Sequence, residues 1–228
     1  MADVLTTPRL VRRAHQQRYF VASRLEGAAE TIGRLRAGDE VTGLTAGQFS
    51  MIDVLEHMVR EAGGDADVFV STWSAGLYDI EQVASLRSDG LVRRARWMVD
   101  RAVFSRSPAY AGAMMECFGR DAFRDSNIHA KVAIVEGRDL RMVCRGSMNL
   151  NKNLRAEQFD ISVSDEIVDF FRTWADALWE AAAPDTSTES VFAKVWADFT
   201  ALRGAAPRHI WPSAREMAAA LPNVRGVG

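Results

Sequence analysis

The sequence has few cysteines and no long apolar run. Its 228 residues include only Cys117 and Cys144, too few for a disulfide framework or for a zinc site made of cysteines alone. No apolar stretch approaches the roughly 18 residues that a membrane-spanning helix needs, and residues 1–15 lack the apolar core of a secretory signal. We therefore expect a reduced, cytoplasmic protein that has no stable association with membranes.

The net charge is also close to zero. Lysine and arginine total 28, and aspartate and glutamate total 30, so the bulk charge favours neither nucleic acid nor a membrane surface as a partner. Hydrophobic residues make up 48% and charged residues 25% of the chain, which is typical of a soluble globular protein and excludes a disordered one. The length suggests one domain with additional segments, or two small domains.

Residues 1–45 are expected to form a helical extension. Thr7 is a suitable N-cap, Pro8 fits the first helical turn, and apolar residues recur at helical spacing, so the pattern predicts one long helix over 8–36. Its apolar seam can pack on the core of the same chain or pair with another subunit. Seven arginines oppose three acidic residues within 1–36, which indicates either a solvated face or a basic arm for phosphates.

Strands alternate with helices in the middle of the chain, which points to a parallel or mixed sheet with helices on its faces. A capping box of Thr45 and Gln48 predicts the start of a helix that ends at Gly63-Gly64. The elements predicted after it are a strand at 67–73, a helix at 79–86, a strand within 93–104, and a helix at 109–118 that Gly119 closes.

A β-hairpin and a long helix are predicted next. The elements are a strand at 128–135, a turn at 136–139, a strand at 140–144, a polar loop at 145–156, a strand at 158–163 and a helix capped by Ser164. One apolar face of that helix consists of Ile167, Phe170, Phe171, Trp174 and Leu178. Residues 183–190 read as a linker and 191–202 as a short amphipathic helix. We therefore expect an α/β domain at 46–182, a mixed sheet flanked by helices on both faces, with helical extensions at 1–45 and 183–228.

An imidazole and an ammonium are expected side by side on the strand at 128–135. Because side chains alternate along a strand, His129 and Lys131 project from one face, while Ala130 and Val132 face apolar packing. A lysine can neutralise a phosphate, and an unprotonated imidazole can attack phosphorus or transfer a proton. The pair is therefore a candidate for phosphate chemistry.

Further polar groups are expected at the same end of the hairpin. Ser147 and Asn149 follow the second strand and can donate hydrogen bonds to the same phosphate, and Gly146 lets the backbone approach closely. Glu157 heads the next strand and can hold the second ring nitrogen of His129, which would fix the tautomer of the ring.

The series H-x-K, hairpin, G-S-x-N and glutamate resembles the HKD motif of the phospholipase D superfamily, in the form found in its small bacterial nucleases. The order of strands and helices over about residues 50–180 is also similar to that family. The resemblance implies a phospholipase D-like domain and a phosphodiesterase. The catalytic residues that the resemblance implies are His129, Lys131 and Glu157. The residues that it implies for phosphate binding are Lys131, Ser147 and Asn149.

One spacing departs from the family pattern. The family usually has an aspartate five positions after the lysine, with six residues between that aspartate and the Gly-Ser pair. Here the first spacing falls on Glu136 and the second on Asp139. The simplest explanation is a hairpin three residues longer, in which Glu136 takes the place of the aspartate as a scaffold residue.

The resemblance also implies a mechanism and an assembly. Enzymes of the superfamily use two HKD motifs, one histidine forming a phosphohistidine and the other protonating the leaving oxygen, and they require no metal or other cofactor. This chain has a single motif, since His15, His57 and His209 are not followed by x-Lys. The resemblance therefore implies a homodimer in which His129 and its copy share one active site.

The substrate is left open between several classes. Arginine-rich stretches at 1–36 and 87–106 favour DNA, Trp73 could stack on a base, and Arg145 and Lys152 could hold neighbouring phosphates. The same arginines could instead form internal salt bridges, and Trp73 could belong to the core. We expect a nuclease acting on DNA. The alternatives are a catalytically weak or inactive DNA-binding module of a larger assembly and a phosphodiesterase acting on a lipid or a small molecule.

Overall fold

The computed structural model describes residues 17–22, 27–72, 77–100, 108–126, 128–150 and 155–182. Within them the chain forms one mixed sheet of eight strands. The strands are β1 (Gln17–Ala22), β2 (Asp39–Thr45), β3 (Ala66–Thr72), β4 (Val92–Asp100), β5 (Phe123–Ser126), β6 (Lys131–Glu136), β7 (Arg141–Gly146) and β8 (Glu157–Ser162). Their order across the sheet is β1-β2-β8-β7-β6-β3-β4-β5.

Helices cover both faces of the sheet. They are α1 (Ala28–Ile32), α2 (Met51–Glu61), α3 (Leu77–Ser88), α4 (Pro108–Phe118) and α5 (Asp165–Ala181), with a 3-10 turn at Arg120–Ala122. Buried residues of α1 to α4 belong to the larger apolar cluster on one face, and α5 packs against a smaller cluster on the other. The expected α/β class, a mixed sheet between helices, is confirmed.

Strand β6 illustrates why the central strands are almost continuously apolar. Its residues Ala133 and Val135 face the larger cluster, whereas Val132 and Ile134 face the α5 side. A strand that is covered on both faces has little place for polar side chains. Lys131, at the first position of β6, is therefore an exception that needs a functional or structural reason.

The directions of the strands bring several strand ends to the same edge of the sheet. β3, β4 and β5 are parallel, β6, β7 and β8 follow as antiparallel neighbours, and β2 pairs antiparallel with β8 and parallel with β1. Consequently β3, β4 and β7 end where β6 and β8 begin. We call this end of the sheet the upper end, and the end that carries the β6–β7 turn the lower end.

The prediction of one long helix over 8–36 is wrong in the part that the structure describes. Gln17–Ala22 is strand β1, and only Ala28–Ile32 is helical. The reason is tertiary, since β2 pairs with β8 and offers its other side to β1. Residues 8–16 lie outside the described residues. The segment from 39 to 45 is part of the sheet, so the domain boundary expected at 45 is corrected as well.

The helix after Gln48 begins later than predicted. Its N-cap is Ser50, whose backbone N–H donates to the Asp53 carboxylate at 2.7 Å and whose hydroxyl donates to the same oxygen at 3.1 Å. Thr45 instead ends β2, and its hydroxyl oxygen accepts from the N–H of Gly47 at 3.1 Å. The two segments have similar capping spacings, and the strand pairing of β2 decides between them.

The region around β6 also differs in detail. Strand β5 was not predicted, and it pairs in parallel with the end of β4. β6 begins at Lys131 rather than at 128, so His129 precedes the strand and Ala130 is exposed instead of packed. The strands at 67–73, 93–104, 140–144 and 158–163, and the helices at 79–86 and 109–118, are confirmed within a few residues.

The long helix α5 is confirmed with two differences. Ile167, Phe171, Trp174 and Leu178 pack against the smaller cluster, but Phe170 is 41% exposed. Ser164 occupies the N-cap without capping the helix through its side chain. The linker and helix expected within 183–202 lie outside the described residues. None of the described helices has the length and apolarity that a membrane crossing requires.

Candidate active site

The upper end of the sheet collects the polar residues that the motif singled out. His129 lies just before β6 and Lys131 begins it, Gly146 ends β7, and Glu157 begins β8. The hairpin register pairs Lys131 with Gly146, and β7 pairs Gly146 with Phe159 of β8. Residues that are far apart in sequence therefore meet because three adjacent antiparallel strands begin or end here.

The imidazole and the ammonium are in direct contact. Nζ of Lys131 lies 3.2 Å from both Nδ1 and Nε2 of His129 and donates to the His129 carbonyl at 3.0 Å. A neutral imidazole has one nitrogen lone pair that can accept from the ammonium. The His129 side of the pair is exposed, whereas Lys131 is only 7% exposed. The ring is therefore accessible to solvent, whereas the neighbouring ammonium is buried and held by its hydrogen bond to the His129 carbonyl.

Burial changes the charge balance of Lys131. Desolvation lowers the pKa of its ammonium below the ordinary value of 10.5, and the negative charges of Glu157 and Asp100 oppose this shift. A cation that the fold holds at some cost, next to a nucleophilic ring, is typical of a functional site. An incoming anion would supply the charge compensation that the ammonium has lost.

Ser147 and Glu157 form a second polar pair beside the first. The Ser147 hydroxyl donates to the Glu157 carboxylate and accepts from the N–H of Gln158 at 3.0 Å. The Ser147 N–H donates to the Gln158 carbonyl at 3.0 Å. The expected partner of Glu157 was the ring of His129, and the hydrogen bond that the structure gives its carboxylate goes to Ser147 instead.

Asn149 has a side-chain oxygen that forms no hydrogen bond with any described residue. Its backbone carbonyl accepts from the N–H of Met51 at 3.1 Å, which ties the loop to the start of α2. Its side-chain Oδ1 is buried, and among the described residues it has no hydrogen-bond partner. Buried amide oxygens without a partner are uncommon in proteins. This oxygen is an acceptor and requires a donor, so the group of Asn149 that could contact a phosphate is its amide N–H.

Gly146 is required by close packing between strands. A Cβ at this position would meet the Gln158 carbonyl oxygen and lie 2.9 Å from Cα of Phe159. Both contacts are with backbone, which has little freedom to move inside a sheet. The residue therefore permits β7 and β8 to approach each other directly beneath Ser147.

Two residues near the pair were missed in the sequence. The buried hydroxyl of Ser71 at the end of β3 donates to the Ala130 carbonyl at 2.9 Å and accepts from the Val132 N–H at 3.2 Å. Asp100 at the end of β4 acts on the charge of Lys131. In the sequence, Ser71 is only a serine inside an apolar strand and Asp100 only an acid at the end of a strand. Neither residue can be placed beside Lys131 unless the order of the strands in the sheet is known.

Glu136 and Asp139 lie at the other end of the hairpin. Glu136 accepts from Arg141 at 2.8 Å and from Arg172 of α5 at 2.8 Å, which is a scaffold position of the kind expected for it. The Asp139 N–H donates to the Ala62 carbonyl at 2.9 Å, in the turn against α2. Neither acid is brought to His129.

Arg145 faces away from the site. Its guanidinium donates to the Ser162 hydroxyl at 2.8 Å, lies 3.8 Å from the Glu40 carboxylate and stacks 5.8 Å from the ring centre of Phe171. It therefore belongs to the α5 face of the sheet. Trp73 and Lys152, the other expected nucleic-acid contacts, lie outside the described residues.

The other candidate basic and metal-binding groups are also accounted for within the described residues. Arg94 pairs with Asp67 at 2.9 Å, and Arg96 pairs with Asp176 at 2.6 Å. His57 is buried, with Nε2 at 2.7 Å from the Gly33 carbonyl. No group of three or more His, Cys, Asp or Glu side chains that could hold a metal occurs in the part of the chain that the structure describes.

No family model matches the chain, and no curated protein matches it. Among solved structures, the chain is similar to the crystal structure of polyphosphate kinase from Porphyromonas gingivalis, with a TM-score of 0.44 and 13% sequence identity. The match covers 64% of this chain and 26% of that one. The chain therefore spans about a quarter of the length of that kinase.

Proposed function

We propose that the chain is a metal-independent phosphodiesterase of the phospholipase D superfamily, a nuclease that hydrolyses DNA through a phosphohistidine as a homodimer. The observation that carries this proposal is the contact of Lys131 Nζ with both ring nitrogens of His129, at 3.2 Å. The placement of Ser147, Asn149 and Glu157 at the same end of the sheet supports it.

The proposed reaction has two displacements. In the first, a ring nitrogen of His129 attacks phosphorus, the bond from phosphorus to the leaving oxygen breaks, and that oxygen takes a proton from the partner subunit's His129. In the second, water attacks the phosphohistidine, the phosphorus–nitrogen bond breaks, and the partner's His129 recovers a proton from the water. Dividing one difficult displacement into two lowers each barrier.

The remaining residues hold the phosphate. Lys131 supplies positive charge to the non-bridging oxygens, and the Asn149 amide N–H supplies a hydrogen bond. Glu157 holds Ser147 in place through the hydrogen bond it accepts, and the single proton of this hydroxyl turns to the phosphate when the anion binds. The local cost of burying Lys131, expressed in its lowered pKa, is relieved when an anion binds.

The proposed homodimer answers the requirement for two histidines. The 228 residues contain one H-x-K sequence, and we place the second imidazole on another copy of the chain. A twofold axis near His129 would bring the two rings to opposite sides of one phosphorus. An active monomer, measured by light scattering on the fraction that carries the activity, would contradict this arrangement.

A second candidate substrate is a smaller phosphodiester, such as a lipid headgroup or a soluble ester. The described arginines that were expected at DNA pair within the chain, as Arg94, Arg96 and Arg145 do. The charges that act on Lys131 are acidic, from Glu157 and Asp100. Lys131 is the cation that contacts His129 in the described residues, and a single cation suits a single phosphodiester at least as well as a polyanion.

One experiment tests the function and separates the substrates. Wild-type protein, His129→Ala and the control His57→Gln are incubated in excess EDTA with plasmid DNA, single-stranded DNA, bis(p-nitrophenyl) phosphate and phospholipid vesicles. His57→Gln keeps a donor for the Gly33 carbonyl and should retain activity. We expect cleavage of DNA that survives the chelator and is lost only in His129→Ala.

Each other outcome has a definite meaning. DNA binding by wild type and His129→Ala without cleavage indicates the binding module instead of the enzyme. Faster turnover of vesicles or of the soluble ester than of DNA selects the second candidate. Cleavage that requires Mg²⁺, or that His129→Ala retains, contradicts the phosphohistidine mechanism.

A further inference from the structure

The segment that carries His129 and Lys131 is held by a side chain from the neighbouring strand. The Ser71 hydroxyl donates to the Ala130 carbonyl at 2.9 Å and accepts from the Val132 N–H at 3.2 Å. These two backbone groups lie on either side of Lys131. One hydroxyl therefore fixes the backbone on both sides of Lys131, at Ala130 and at Val132.

The position of this hydroxyl is unusual for the sheet around it. Ser71 and Val132 form the last pair of the register between β3 and β6 at the upper end of the sheet, and residues 128–130 have no strand structure. The Ala130 carbonyl thus lies where the regular pairing ends. A side chain at that point can take over the role of the backbone and set how the segment leaves the sheet.

Burial makes the arrangement firm. Ser71 is 0% exposed, so water does not compete for its two hydrogen bonds. On the other side of His129, the buried side chain of Ile128 belongs to the α5-side cluster, and its N–H donates to the Ser126 carbonyl at 3.0 Å. The ring of His129 is exposed between two anchored points of the backbone, Ile128 and Ala130.

We propose that Ser71 is a positioning residue that sets the distance and orientation of the His129 ring relative to Lys131. This inference rests on the proposed function, in which the two side chains act on one phosphate. Ser71 touches neither the phosphate nor the reacting atoms, and its effect is transmitted through the backbone at Ala130 and Val132. A shift of about 1 Å in a reacting group can lower a rate by about 10²-fold.

Ser162 offers a matched control in the same sheet. It is also a serine with 0% exposure, and its hydroxyl accepts from Arg145 at 2.8 Å and donates to Glu40 at 2.8 Å. It pairs with Val143 of β7, two register positions farther from the upper end than Ser71, and strands β6 and β7 lie between β8 and β3. Ser71→Ala and Ser162→Ala therefore remove the same buried group, but only Ser71 contacts the backbone of the His129 segment.

The experiment compares these variants with wild type and Ser71→Thr, which keeps the hydroxyl. Turnover of the preferred substrate is measured at a temperature where all four proteins are folded by circular dichroism. We expect kcat to fall by about 10- to 100-fold in Ser71→Ala, with a smaller change in KM. Turnover should stay within about 2-fold in Ser162→Ala and be largely restored in Ser71→Thr.

A second measurement needs no turnover. The ring resonances of His129 are recorded by NMR in protein with isotope-labelled histidine and are assigned from their absence in His129→Ala. Because the chemical shifts of a ring depend on its position relative to neighbouring groups such as Lys131, Ser71→Ala should displace the ring resonances of His129, and Ser162→Ala should leave them unchanged.

The two measurements separate this inference from the proposed function. Unchanged ring resonances and an unchanged kcat in Ser71→Ala overturn the positioning role, as does an equal loss in Ser162→Ala. If no phosphodiester is hydrolysed by wild type, the proposed function fails. The ring resonances of His129 alone then decide whether Ser71 positions the ring.

Discussion

The two ends of the β6–β7 hairpin use charge in opposite ways. At the lower end, Glu136 is bound by Arg141 and Arg172, and Arg141 also reaches Asp169 of α5 at 2.7 Å. At the upper end, Lys131 is nearly buried and its pKa is lowered by desolvation. At the lower end, the charged side chains form ion pairs that join the hairpin to α5. At the upper end, desolvation disfavours the charged form of Lys131, and an anion that binds there would compensate for the lost hydration.

The turn itself reinforces this difference. The Asp139 N–H donates to the Ala62 carbonyl at 2.9 Å, and the guanidinium of Arg138 donates to the Gly63 carbonyl at 2.8 Å, so the turn is fixed on the end of α2. A hairpin held firmly at one end can present the other end in a defined geometry. The hairpin longer by three residues than the family pattern is therefore accommodated away from the site.

The largest effect is expected at Lys131. Replacing it by methionine, which has a similar shape, removes the charge and should weaken the binding of vanadate, a phosphate analogue, by about 10²-fold. The melting temperature should not fall, because burial of the ammonium is unfavourable in the folded protein. Calorimetric titration and thermal unfolding check the two parts. Undiminished vanadate binding would contradict the role of Lys131.

The two glycines of the hairpin should distinguish its ends. A Cβ at Gly146 would meet backbone atoms of β8, and one at Gly137 would meet the Ala62 carbonyl and lie 2.6 Å from the Ala62 Cβ. Each alanine variant should lower the free energy of unfolding by about 1–3 kcal/mol in urea titrations. Only Gly146→Ala should also reduce vanadate binding by the folded protein, and equal binding losses in both variants would show that the ends are not independent.

The ion pairs of Glu136 should matter for stability and not for the site. Its side chain is 22% exposed and that of Arg172 is 20% exposed. Glu136→Gln should destabilise the protein by about 1–2 kcal/mol, because a neutral amide makes weaker hydrogen bonds with the two guanidinium groups than a carboxylate does. Vanadate affinity should remain within about 2-fold of wild type. A selective loss of affinity without a loss of stability would give Glu136 a functional role.

The smallest effect concerns pH. Because desolvation lowers the pKa of Lys131 below 10.5 despite Glu157 and Asp100, the ammonium loses its proton before an ordinary lysine as pH rises. In the interval between the lowered pKa and 10.5 the unfolded chain binds more protons, so stability contributed by this residue rises with pH while anion affinity falls. Lys131→Arg, which keeps its charge, should show no such fall in vanadate affinity over the same interval.

The sequence predicted the central elements well where one local pattern dominated. The strand at 67–73, the helix at 109–118 and the hairpin each carry a run of one periodicity bounded by turn residues, and each is present. The error at 17–22 has a physical cause. A segment with apolar residues at helical spacing became an edge strand because β2 offered it unpaired backbone groups.

The sequence predicted which residues form the candidate site, but it did not predict which of them contact one another. His129 and Lys131 are two residues apart, and their proximity follows from that spacing once the chain is extended. The partner of Glu157 and the clamp at Ser71 depend on residues 10 and 59 positions away. No local pattern encodes such contacts, because they arise only when particular strands become neighbours.

By itself, the sequence determined the class of the fold, the hairpin and the identities of the candidate site residues, since periodicity and side-chain chemistry are local properties. Only the tertiary structure decided that Glu136 is a scaffold acid, that Arg145 faces α5 and that Ser71 holds the segment of His129. The physical reason is that the strand order β8-β7-β6-β3 fixes which side chains meet, and strand order is set by long-range pairing and burial.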